Sequence, residues 1–214
     1  IDGEIEDVRA AWHSLTDARD VAGLAAATDG LYHFFLLRSR FSEGLESFRI
    51  ARLALEERAQ VGRAARLLHG RLAAREARFL SALSQYEPAQ SLLAASLQEL
   101  RTLDAPAEVA FVLGHLGGTA RLQGELDAAD ERLNECLALR RQLRDHWGQA
   151  VALLELAGVA FMREDYELAR QRCEEGLNVA DHGDLQTTAH LLTGLSLCLR
   201  ELRQFEAALS PVQR

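Results

Sequence analysis

Between Val109 and Asp184 one hydrophobic pattern is written twice. In the first copy apolar residues recur at helical spacing over positions 110–122 and again over 126–139. Gln-Gly-Glu (123–125) separates the two runs, and Arg-Glu-Asp (163–165) does the same in the second copy. Breaks this short predict a tight antiparallel helix turn. Leu113 superposes on Leu153, Leu116 on Leu156, Ala120 on Ala160, Ala129 on Ala169 and Leu137 on Leu177, each pair 40 positions apart. Gly117 and Ala157 on the first helix, and Ala129 and Ala169 on the second, are small where two helices would cross closely. One such hairpin cannot bury its own apolar face, so the pattern predicts hairpins stacked on hairpins.

The pattern extends in both directions. A first helix at about 5–15 leads the chain, and Asp17 and Asp20 flank a break suited to capping a second helix over 21–38. Phe41 and Gly44 open the partner helix, in register with Tyr166 and Ala169. A long helix over about 60–84 turns into Tyr86-Glu-Pro-Ala89, with Pro88 in a first helical turn. Leu192, Leu195 and Ser196 carry the first helix of a fifth unit, and Phe205 and Ala208 echo Tyr166 and Ala169. The expectation is an all-α solenoid of antiparallel helix hairpins, right-handed, forming one domain over 1–214. It comprises a leading helix (1–17) and five repeats at 18–58, 59–104, 105–145, 146–184 and 185–214, the last clipped. No initiator Met is present and the chain stops at Ser-Pro-Val-Gln-Arg, so a piece of a longer polypeptide is expected.

The positions Leu113-x-x-Leu116-Gly117 with Ala129, Leu133, Cys136 and Leu137 resemble the tetratricopeptide repeat. So do Leu153-x-x-Leu156-Ala157 with Tyr166, Ala169, Cys173, Gly176 and Leu177. The period departs from that family's usual value of about 34, and its Trp and closing Pro are missing. HEAT-type repeats have about the right period but do not call for this Gly/Ala arrangement. The stretch Glu4-Ile-Glu-Asp-Val-Arg-Ala-Ala-Trp12, followed by Arg38-x-Arg-Phe-x-Glu-Gly44, is similar to the start of the helical arm in bacterial STAND-type regulators. That resemblance implies a sensor or docking arm attached to a nucleotide-binding switch. No G-x-x-x-x-G-K-[ST] motif occurs here, so ATPase activity is not expected of this chain.

Composition narrows the partners. All 24 basic residues are Arg, against 32 acidic ones, and the net charge of −8 argues against nucleic acid. No apolar run approaches the ~20 residues of a membrane span, and no signal peptide is visible. Three cysteines, an odd number on apolar faces, fit packed thiols and a reduced, cytoplasmic setting. His69, His115 and His190 lack metal-ligand spacing, and no Ser, His and Asp set has a nucleophile-elbow context. No enzyme activity, cofactor or metal is expected.

The tetratricopeptide resemblance implies that first helices line a concave face. Carried across by phase, the inward positions are His33, Arg71, Arg75, Arg78, His115, Arg121, Phe161, His190 and Arg200, with Thr193 and Leu197 beside them. Arg71, Arg75 and Arg78 share one helix face, with Arg121 expected on the next first helix. Such a basic strip would receive an acidic protein or peptide partner, or a small phosphate-bearing effector. The bland alternative is that these arginines pair with Glu76 and other acids. At the level of function the expectation is a non-catalytic interaction scaffold, and the second reading is a purely structural assembly scaffold.

Overall fold

The computed structural model describes residues 2–60, 62–180 and 184–202, with side chains from residue 6 onward. These residues form ten helices and no strand. Two compact units divide the chain between Glu108 and Val109.

The first unit contains α1 (Asp2–Asp17), α2 (Val21–Leu37), α3 (Phe41–Ala59), α4 (Arg63–Ala82) and α5 (Tyr86–Thr102). Each helix packs on the next, and α3 also meets α1 while α4 also meets α2. Its core is aromatic. Phe48 packs 5.4 Å from Trp12 and 5.7 Å from Phe79, and Tyr32 lies 5.7 Å from Phe79, ring centroid to ring centroid. Gly44 makes room for this cluster, since a Cβ there would stand 2.6 Å from the Phe79 ring. The helix read over 60–84 is shorter, because Gly62 is extended and serves as the N-cap of α4.

The second unit begins within α6 (Pro106–Leu122) and continues through α7 (Leu126–Gln142), α8 (His146–Met162), α9 (Tyr166–Val179) and α10 (Leu185–Glu201). Here α8 packs on α7, α9 and α10, and α9 on α10. Gly117 of α6 sits against Leu133 of α7, where a Cβ would come within 2.5 Å of the leucine. Leu113, Leu116, Ala120 and Ala129 are buried, and so are their counterparts Leu153, Leu156, Ala160 and Ala169. Leu137 is buried and Leu177 half-buried. The hairpin crossings repeat too: the Ser96 hydroxyl donates to the Gly70 carbonyl (2.8 Å) and the Cys136 thiol to the Ala110 carbonyl (3.1 Å).

The turns share one construction. A residue with positive φ closes each of several helices, at Arg19 and Ser39 and then every 20 residues from Ser84 through Asp104, Gly124 and Arg144 to Glu164. The amide after that residue commonly reaches back to a carbonyl of the preceding helix, as in Gln85 to Leu80, Glu125 to Ala120 and Asp165 to Ala160. Asp20, Asp145, Asp165 and Asp184 cap the following helices through their side chains. The second helix of the fifth repeat, with Phe205 and Ala208, lies outside the described residues.

Candidate functional site

On α4 the arginines expected to form an open basic strip are held by acids of the same unit. Arg71 pairs with Asp29 (3.0 Å) and Glu108 (2.8 Å). Arg75 is buried, pairs with Asp29 (3.0 Å) and with Glu108, and sits 5.8 Å over the Tyr32 ring. Glu76, named as their sequence partner, turns instead to Arg52 (2.6 Å). Arg78 is half-buried on the same helix. Burial pushes the Tyr32 phenol up to about 12, with Arg78 and Arg75 pulling it down and Asp29 adding to the rise. Two arginines against two carboxylates leave the Arg71–Arg75 patch locally neutral. His33 is exposed on α2, its ring 5.2 Å from that of Tyr32.

The second unit gathers more of the nominated residues in one place. Arg121, Phe161 and His190 line a groove of about 410 Å³ together with Leu197. Its wall is largely apolar, built from Leu154, Ala157, Phe161, Met162 and Leu197. Arg121 lies along Gly158, where a Cβ would stand 3.2 Å from the arginine, and its Nε donates to Glu155 (2.8 Å). The polar edge is therefore an ion pair rather than a bare cation. Cys173 of α9 and Cys198 of α10 also line the groove, and both are free and buried.

Sequence phase did not bring every nominee here. His115 is half-buried on α6, its ring 4.4 Å from Phe111 one turn away, and it does not line the groove. Arg200 is exposed and bonded to Glu201 (2.8 Å), and the Thr193 hydroxyl donates to its own helix at Ala189 (2.8 Å). Glu155, Gly158, Gly194 and the two cysteines were not nominated. A signal was present: Gly118 and Gly158 repeat at the 40-residue period, and Gly194 and Cys198 follow His190 at four-residue steps along α10.

Cys136, by contrast, is raised by burial, with Arg140 pulling it back down, and it is bonded to a backbone carbonyl away from the groove. Among the described residues no helix is long and apolar enough to cross a membrane.

No family profile matches this chain, and no curated protein matches it. Among solved structures, the crystal structure of BtubC (BKLC) from P. vanneervenii is similar, with a TM-score of 0.80 and 13% sequence identity. The match covers 100% of this chain and 88% of that one. At that identity the likeness bears on the fold alone, an all-helical, repeat-like succession of packed helices.

Proposed function

We propose that this chain is a non-catalytic interaction scaffold that takes a protein or peptide segment on the face formed by its first helices. The observation that carries the reading is the convergence of Arg121, Phe161, His190 and Leu197 on one apolar groove with a polar edge. Such a lining suits an apolar anchor side chain flanked by a group that meets Arg121, Glu155 or His190. The tetratricopeptide-like and STAND-like motifs extend the proposal to a sensor or docking arm of a larger bacterial, cytoplasmic regulator. Capture of a partner would then shift the arm between two states for which the partner has different affinity. An acidic partner or a small effector remains compatible with the Arg121 edge.

A second reading draws on the first unit. There Arg71 and Arg75 are spent on Asp29 and Glu108, as in a scaffold whose charges serve packing. The experiment that separates the two uses the chain as bait in native lysate, beside a variant carrying Leu197→Glu and His190→Glu. Both positions are exposed, so the variant should melt like the parent. A partner retained by the parent and lost by the variant supports the groove. Partners held equally by both favour a structural scaffold using other surfaces.

A further inference from the structure

Cys173 and Cys198 belong to different helices of the packed α9–α10 pair and meet on the wall of one groove. The approach is close because α10 carries glycine one turn before Cys198: a Cβ at Gly194 would lie 3.1 Å from the Cys173 sulfur. The two thiols share that wall, and each perturbs the acidity of the other. We propose that Cys173 and Cys198 are an oxidisable dithiol that reacts with organic hydroperoxides entering the groove and closes an α9–α10 disulfide. This inference does not depend on the scaffold reading.

The roles of the two sulfurs follow from their surroundings. The neighbouring Cys198, and then burial, push Cys173 up and hold it as the thiol. The neighbouring Cys173 acidifies Cys198 against the opposing effect of burial, and the charge of Arg170 adds to it. Cys198 is therefore the nucleophile, since the thiolate is the reactive form. Its sulfur attacks the terminal oxygen of R–O–O–H, the O–O bond breaks, and the departing alkoxide takes a proton to leave as the alcohol. Cys198 is then a sulfenic acid. The Cys173 sulfur attacks it, the S–O bond breaks, and the hydroxide leaves as water with the Cys173 proton. The sulfur pair loses two electrons and the peroxide gains them. The apolar wall of Leu154, Phe161, Met162 and Leu197 favours a peroxide with a hydrocarbon group over hydrogen peroxide. Cys136 is off the groove and serves as an internal control.

The test treats the full chain with stoichiometric cumene hydroperoxide, blocks free thiols with iodoacetamide after unfolding, and maps peptides by mass spectrometry. The expected product is a peptide linked through Cys173 and Cys198, lighter by two hydrogens and restored by dithiothreitol, with Cys136 alkylated. Cys173→Ser should accumulate a dimedone-reactive sulfenic acid at Cys198, whereas Cys198→Ser should accumulate none. The parent measurement stands even if a variant folds poorly, and circular dichroism reports that directly. A chain that forms no Cys173–Cys198 bond, or that oxidises Cys136 as readily, overturns the proposal. Equal rates with hydrogen peroxide overturn the assignment of an organic substrate.

Discussion

Gly30 and Gly124 should respond to alanine in opposite directions. Gly30 lies inside α2 with nothing within 4 Å of its would-be Cβ, so Gly30→Ala meets no obstacle and limits the unfolded chain. It should raise stability by about 0.4–1 kcal/mol. Gly124 also has open space, but its φ of +80° is a backbone region that L side chains rarely adopt. Gly124→Ala should lower stability by about 1 kcal/mol through backbone strain alone. Urea midpoints of the two variants check both signs, and a loss at Gly30 would contradict the open position described for it. Charge gives a second test at this scale. Arg52 covers Glu76, whose side chain is 7% exposed, so Arg52→Ala strands a buried carboxylate. A loss of about 3–5 kcal/mol is expected, much of it recovered when Glu76→Met is added. A double variant no better than the single one would mean that Glu76 serves something other than Arg52.

Several helices here start and stop by local chemistry that recurs with the repeat. Asp184 is the N-cap of α10, accepting from the Thr187 amide at 3.1 Å. Burial pushes its pKa up, but hydrogen bonding from Thr187 outweighs burial and holds the carboxyl below its ordinary value of 3.8. A carboxyl depressed in the folded state contributes stability that is fully present above the unfolded value. That stability is lost as pH falls through the folded one. Acidification below about pH 3.8 should therefore loosen the start of α10. Trp147 fluorescence would follow it, and Asp184→Asn should remove that component of the acid response. If the acid transitions of parent and variant coincide, the cap does not titrate as described. Elements were the most legible level in the sequence, because the apolar spacing that buries Leu113 and Leu153 also fixes the helix faces. The positive-φ closures were not legible, since Arg19, Ser39, Ser84, Asp104, Arg144 and Glu164 are not the glycines such positions favour.

At the scale of the whole molecule, phase along one helix is readable from sequence, but partners brought in from other helices are not. Phase therefore led to Arg121, Phe161, His190 and Leu197, which share a groove. It could not foresee that Asp29 and Glu108, 46 and 33 residues away, would be the carboxylates on Arg75. The consequence is electrostatic. Arg71 and Arg75 are paired with Asp29 and Glu108, and Arg121 with Glu155, in a chain of net charge −8. An acidic partner drawn to these arginines would have to displace a carboxylate already in place. Capture should instead draw on apolar burial in the groove, at roughly 25 cal/mol per Å² removed from water. Raising salt to about 1 M shortens the screening length to about 3 Å and should leave such a partner bound. Leu197→Glu should release it at any salt. A partner that leaves with salt but tolerates Leu197→Glu would return recognition to the arginines.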